Sequence, residues 1–306
     1  MIDKILFAGT TDPKAAKRLA REAKIELGRI LIKKFACNEK YIQLLDDVKG
    51  KLVYIYQTSS LDPDEILMET FLIANAAKES GAKKVILISP FLLYSRQDKK
   101  TSPEKKEPVS AKVLARLYQT SGIDEIITCH LHSKRILNYY RIKILDLKFH
   151  YLFARELREI VKRKENWQVV APDEGAKKDV EILANLLGNL KVGIFKKQRE
   201  DPTKRLNLAS PFKFSGSVKG KNAILFDDMV DTGGTIIQTK EKLLSLGAKK
   251  IILAAIHPIL SGKAKEKLKK AKFSKIFFSN SIPIKRQLKN LKIVDIIPEI
   301  KKYLSR

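Results

Sequence analysis

Short apolar runs rich in β-branched residues alternate along this chain with longer stretches of helical periodicity. Leu52 to Gln57 reads as a strand, Asp64 to Ser80 as a helix and Lys84 to Ser89 as a strand. The same order returns at Asn222 to Phe226, Thr235 to Leu246 and Lys250 to Ile256. Strand and helix periods in alternation predict parallel sheets joined by crossover helices, an α/β fold. The opening residues, Met1 to Gly9, also read as a strand and not as a signal peptide.

Two segments resemble each other. Ser80-Gly-Ala-Lys-Lys-Val-Ile-Leu-Ile-Ser-Pro90 and Leu246-Gly-Ala-Lys-Lys-Ile-Ile-Leu-Ala-Ala-Ile-His-Pro258 share a helix-ending glycine, a lysine pair, an apolar strand and a closing proline. This predicts two similar three-layer α/β domains with parallel sheets, residues 1-149 and 150-306. The alternative is a generic helix-to-strand turn used twice. Two polar stretches, Asp98 to Glu107 and Lys196 to Ser210, interrupt the pattern and read as mobile surface loops, candidates for lids over a ligand.

Composition narrows the classes. With 306 residues, 44% of them apolar, the chain can bury two cores of ordinary size. Its longest nearly apolar stretch, Ile251 to Leu260, is about half of what crosses a bilayer, so no membrane span is expected and the reading is a soluble, unexported protein. Cys37 and Cys129 are the only cysteines, too few for a disulfide framework or a thiolate zinc site, and they fit a reducing cytoplasm. The formal charge of +27 raises nucleic-acid binding as a second hypothesis. The lysines are spread in pairs along the whole length, however, which favours a solvated basic surface that would also attract phosphorylated metabolites.

The sharpest chemical signal is Ala223-Ile-Leu-Phe-Asp-Asp-Met-Val-Asp-Thr-Gly-Gly-Thr235. An apolar strand runs into Asp227 and Asp228, and the turn Asp231, Thr232, Gly233, Gly234, Thr235 opens a helix. Glycines admit an anion close to the backbone, and unpaired N–H groups at a helix start point at it. Carboxylates at the carboxyl end of a strand can accept from sugar hydroxyls. A phosphate cradle beside acceptors for a vicinal diol indicates a sugar phosphate; the plainer alternative is a solvated acidic turn with a helix cap. No Gly-x-x-x-x-Gly-Lys-Ser/Thr loop occurs, so a nucleotide would have to be held in another way.

The segment Asp227 to Thr235 resembles the phosphoribosyl diphosphate motif shared by phosphoribosyltransferases and ribose-phosphate diphosphokinases. Ser95 to Lys100, Glu107 to Lys112, Ala171 to Ala176 and His257 to Gly262 are similar to diphosphokinase segments in order and spacing, as are Leu6 to Gly9 and Phe35 to Glu39. The resemblance covers nearly the whole chain. It implies a phosphoribosyltransferase-like fold in both halves, with the active site between them. The implied activity is transfer of the diphosphoryl group of Mg-ATP to O1 of ribose 5-phosphate. On this resemblance Asp227, Asp228 and the 231–235 turn hold ribose 5-phosphate, while Phe35 stacks on adenine, Glu39 lies near the base, and Arg96 and Gln97 contact the nucleotide. His132 and Asp173 are associated with magnesium and ATP. Asp173 is the better ligand for magnesium, which prefers oxygen, leaving His132 to act mainly on phosphate. Lys197 and Arg199 form the basic pair of a mobile catalytic loop. The resemblance also implies a homo-oligomer, with the adenine site often completed across a subunit contact.

Residue type alone leaves other readings. Without the family, Phe35 reads as a core residue, Arg96 to Lys100 as a solvated turn, and the 196–205 loop as a solvated basic loop. The pair His130-x-His132, read as a strand, would place both rings on one face and suggest a transition-metal site. Cys37, Asn38 and His130 depart from the commoner family pattern, which keeps open a catalytically silent regulatory paralogue; a phosphoribosyltransferase is the other alternative.

Overall fold

In the computed structural model the residues described are 2–59, 62–162, 164–197, 212–284 and 288–304, with the side chains of Lys164, Lys197 and Phe212 outside the description. The chain divides into two units: Met1–Lys148 with Ser281–Pro283 and Ile296–Arg306, and Phe149–Asn280 with Ile284–Asp295. The expected second domain, 150-306, therefore differs at its end. Residues 296–306 belong to the first unit because Ile297, Ile300 and Leu304 bury their side chains completely and their helix packs on one near the start of the chain.

The first unit contains β1 (Lys4–Ala8), α1 (Pro13–Ala23), β2 (Glu26–Leu27), β3 (Ile30–Lys34), β4 (Lys40–Leu44) and β5 (Leu52–Tyr56). It continues with α2 (Pro63–Glu79), β6 (Lys84–Ser89), α3 (Ser110–Thr120), β7 (Glu125–Cys129) and β8 (Lys143–Leu147). Its main sheet has the order β2-β1-β5-β6-β7-β8, parallel throughout, and β5 to β7 are buried along almost their whole length, as a sheet covered on both faces requires. Strands β3 and β4 stand apart as an antiparallel hairpin resting on α2.

The second unit contains α4 (His150–Arg158), β9 (Trp167–Ala171), α5 (Lys177–Leu186), β10 (Lys191–Lys197), β11 (Phe212–Ser215) and β12 (Asn222–Val230). It is completed by α6 (Gly234–Ser245), β13 (Ile251–Pro258), α7 (Ala264–Ala271), β14 (Lys275–Ser279) and β15 (Leu291–Val294), after which α8 (Ile297–Leu304) returns to the first unit. Its sheet runs β11-β10-β9-β12-β13-β14-β15, with only the β10–β11 pair antiparallel. Alternation along β12 builds three layers. Leu225 faces a core with Ile236, Leu243 and Leu268 of α6 and α7, whereas Phe226 meets the Phe153 ring of α4 on the opposite face.

The predicted resemblance of the two halves has a physical basis at the α2–β6 and α6–β13 turns. In the first, Ala82 N–H donates to the Ala77 carbonyl and Gly81 N–H to that of Lys78; in the second, Ala248 N–H donates to the Leu243 carbonyl and Gly247 N–H to that of Leu244. Both are Schellman caps with a left-handed glycine, φ 83° at Gly81 and 87° at Gly247. In each, the capped glycine's carbonyl accepts from a glycine leading into the neighbouring strand, Gly50 or Gly220, at 2.8 Å.

Two local expectations are corrected. The strand expected to stop at Phe226 continues to Val230, because β13 extends as far beside it and pairs with Met229 and Val230. The His-x-His segment is not strand: β7 ends at Cys129, and His130 turns to a φ of 49°, leaving His130 buried and His132 exposed and removing the common face on which a transition-metal pair rested.

Candidate functional site

The acidic motif sits where an α/β sheet presents ligands. Asp227 and Asp228 occupy the carboxyl-terminal part of β12, in the middle of the second unit's sheet. Beyond Val230 the chain turns through Asp231 and Thr232, and Gly233 caps α6 with a φ of 75°, a conformation that β-carbon-bearing residues adopt with strain. No side chain caps this helix start, so its first N–H groups remain directed out of the turn. Ser261 braces the turn by donating its hydroxyl to Asp231, and Leu260 N–H donates to the Val230 carbonyl at 3.0 Å.

Asp173 lies on the turn between β9, the neighbour of β12, and α5. Its Oδ1 accepts from Gly175 N–H (2.9 Å) and Ala176 N–H (3.2 Å), which fixes the carboxylate at the head of α5. Burial, then the charge of Asp228, then that of Asp173, hold the Asp227 carboxyl well above the usual aspartate range, outweighing the N–H that Asp228 donates to Asp227 Oδ1 at 2.9 Å. The charges of Asp228 and Asp173 thus both act on the Asp227 carboxyl, and a cation or hydroxyl donors would relieve that repulsion. Among the described residues these three do not form a group close enough to share one ion; the group that does is His130, His150 and Asp179.

In the first unit, Phe35 and Glu39 lie on the turn between β3 and β4, closed by Phe35 N–H to the Glu39 carbonyl at 2.8 Å. Phe35 is 54% exposed and meets Tyr41 edge to face, with ring centroids 5.7 Å apart, so the core alternative is excluded and a ring face is available to a ligand. Asn38 takes a φ of 70° and its N–H donates to the Phe35 carbonyl. Arg96 is exposed, while Gln97 accepts from the Ser110 hydroxyl and its carbonyl from Ala111 N–H at 3.2 Å, tying the 96–97 segment to the start of α3. The following stretch, 98 to 107, forms no helix or strand; Asp98 is buried, its carbonyl accepting from Tyr139 at 2.7 Å, and Lys99 to Thr101 are exposed. Lys197 ends β10 with its side chain outside the description, and Arg199 lies outside the described residues altogether.

Residues 4–122 match the N-terminal domain of ribose phosphate pyrophosphokinase, and residues 190–304 the phosphoribosyl synthetase-associated domain. A ribose-phosphate pyrophosphokinase of Fusobacterium nucleatum is 32% identical over 95% of this chain and 90% of its own length. That of Campylobacter jejuni is 31% identical over 98% and 94%. The chain belongs to the ribose-phosphate pyrophosphokinase family. It is a diphosphotransferase of nucleotide biosynthesis. Among solved structures, the phosphoribosylpyrophosphate synthetase of Mycobacterium smegmatis superimposes with a TM-score of 0.90 at 30% identity, covering 99% of this chain and 97% of that one.

Within the pyrophosphokinase framework two of the three departures have a backbone explanation. Asn38 and His130 both adopt positive φ, and Asn, Asp and His are the side-chain-bearing residues that tolerate it best. His130 thus satisfies the conformational demand of its position without supplying a carboxylate. Cys37 is exposed and free at the hairpin tip, and nothing in the structure explains its choice. Sequence reasoning missed Lys40 and Glu69 beneath the Phe35 turn. The available signal was an acidic residue at a buried position of α2, flanked by Leu67 and Ile73.

Proposed function

We propose that this diphosphotransferase moves the β,γ-diphosphoryl group of Mg-ATP to O1 of ribose 5-phosphate, giving 5-phosphoribosyl 1-diphosphate and AMP. The bond from O1 to the β-phosphorus forms, the bond from the β-phosphorus to the oxygen bridging the α-phosphate breaks, and the O1 proton is released. The observation that carries this reading is the convergence on one strand–turn–helix of an open helix start and a carboxylate group, which suits a phosphate and hydroxyls at fixed separation.

In this reading Thr232, Gly233, Gly234 and Thr235 hold the 5-phosphate through backbone N–H groups and hydroxyls, and Asp227 and Asp228 orient the ribose hydroxyls. Phe35 supplies the adenine platform, Glu39 lies near the base, and Arg96 with Gln97 and His132 receives the triphosphate. Asp173 and His132 are the residues assigned to magnesium, which when bound neutralises phosphate charge. Lys197 and Arg199 would stabilise charge developing on the transferring group, the main task left to a protein in phosphoryl chemistry. The protein is further proposed to act in the cytoplasm as a homo-oligomer, without a nucleic-acid or membrane partner. Among the described residues no helix is long and apolar enough to cross a membrane.

Incubation of the protein with Mg-ATP and ribose 5-phosphate should release AMP in step with consumption of the sugar phosphate. Release of ADP would point to an ordinary kinase, and no turnover to the silent paralogue.

A further inference from the structure

The hairpin that carries Phe35 and Glu39 shares no backbone ladder with the six-stranded sheet; it is a separate pair, so its position depends on what its side chains grip. Its base is clamped by Arg29 and Asp46, whose side chains meet at 2.8 Å. At the other end the ladder terminates in Lys34 opposite Lys40, directly beneath the Phe35–Glu39 turn. Both lysines reach down to α2. Lys34 meets Glu65 at 3.0 Å, and Lys40, with only 6% of its side chain exposed, meets Glu65 at 3.1 Å and bonds to the fully buried Glu69. Burial disfavours the Lys40 ammonium, but its bonds to Glu69 and Glu65 outweigh this and hold its pKa above the usual lysine value.

Glu69 does not serve the hairpin alone. Its carboxylate also accepts from Thr10 N–H (2.8 Å), from the Thr10 hydroxyl (3.0 and 2.9 Å) and from Gln57 Nε2 (2.6 Å). The amide of Gln57 occupies the space beside Gly9, where a β-carbon would approach it to 2.4 Å. One carboxylate therefore ties the end of β1, the end of β5 and the tip of the hairpin together. A buried ion pair of this kind is poor as a source of stability, since an apolar pair of the same shape usually does as well. What it provides is a fixed geometry.

We propose that Lys40 and Glu69 are positioning residues for the nucleotide, locking the Phe35–Glu39 turn at one height over α2 so that adenine meets a preset platform. The inference rests on the reading of Phe35 and Glu39 as nucleotide contacts. Without the lock the hairpin is free to sample other positions, and ATP affinity falls by the fraction of time the turn is in place.

The test compares Phe35→Leu with the double variant Lys40→Met, Glu69→Gln, which removes both charges at constant length so that no buried charge is left unpaired. Calorimetry with Mg-ATP alone and with ribose 5-phosphate alone, and the melting temperature, are measured on the full chain. The double variant is expected to bind Mg-ATP about tenfold more weakly, as for a turn in place one-tenth of the time. Its ribose 5-phosphate affinity and melting temperature should stay close to those of the parent. Unchanged Mg-ATP affinity in the folded double variant, with Phe35→Leu weakened, overturns the positioning role alone. Unchanged affinity in Phe35→Leu overturns the reading of the hairpin and this inference with it. Should the double variant not fold, Glu65→Gln, which loosens both lysines from the half-exposed side, decides: about a two- to threefold loss of Mg-ATP affinity at unchanged melting temperature supports the lock, and no loss refutes it.

Discussion

Replacing Asp227 by asparagine should make the ligand-free protein more stable while impairing its chemistry. Asp227 shares its end of the sheet with Asp228 and Asp173, and burial and these charges together raise its pKa. Adjacent strands lie ~4.8 Å apart, and two like charges at roughly 5 Å with an effective dielectric near 20 repel by about 3 kcal/mol. Solvent and partial protonation reduce what is recoverable to about 1–2 kcal/mol, the usual gain from relieving a strained functional site. At about 2–4 °C per kcal/mol for a unit of this size, the transition should rise by about 2–8 °C at pH 8. Trp167 is the only tryptophan and is buried in β9 of the same unit, so its fluorescence follows the relevant transition. The sign of the pH dependence is fixed: a carboxyl with a raised folded-state pKa stabilises the fold fully below the ordinary aspartate value, about 3.9, and that stability is lost as the pH climbs through the raised value. Parent and variant should thus converge near pH 4 and diverge above it. Equal melting at pH 8, or a gap that persists at pH 4, would refute the argument.

Other outcomes follow from the assigned roles. Asp228→Ala should weaken ribose 5-phosphate binding about tenfold or more and leave ATP binding nearly unchanged, by calorimetry, since a hydrogen bond to a charged group is worth roughly 1.5–3 kcal/mol. Phe35→Leu should lower ATP affinity with a melting temperature close to the parent's, because the ring is more than half exposed. Lys197→Ala should cost about 10²–10³ in kcat with KM for both substrates moving only a few-fold; a change under about twofold would remove the catalytic role assigned to Lys197.

The sequence was most informative where structure is decided locally. The turn at 231–235 and the two Schellman caps follow from glycines and helix periodicity within a few residues, and both fell where the pattern put them. Features set by distant partners were not legible. Strand β12 overruns its apolar run into the acids because β13 continues beside it, and no residue between 226 and 230 announces that. His130 leaves the strand as its N–H turns to the Leu147 carbonyl on β8, a pairing invisible to alternation. Glu69 is buried because Thr10, Lys40 and Gln57, far apart in sequence, arrive around it. Of the candidate site, the sugar-phosphate residues could be read as chemistry from their own motif, whereas Phe35, Arg96 and His132 needed the family resemblance to be singled out.

The return of α8 to the first unit has a consequence for how this protein is made. Lys4 Nζ donates to the Leu304 carbonyl at 2.7 Å across 300 residues of chain, and α8 covers α1 with three fully buried side chains. The unit whose residues leave the ribosome first therefore cannot finish its core until residues 297–304 have emerged, after all of the second unit's. Until then the side chains of Ile297, Ile300 and Leu304 are missing from the packing against α1, so the first unit is completed only after the second has been synthesised. A tag or truncation at residues 297–304 should consequently disturb the unit bearing Phe35 and leave the acidic turn of the other intact.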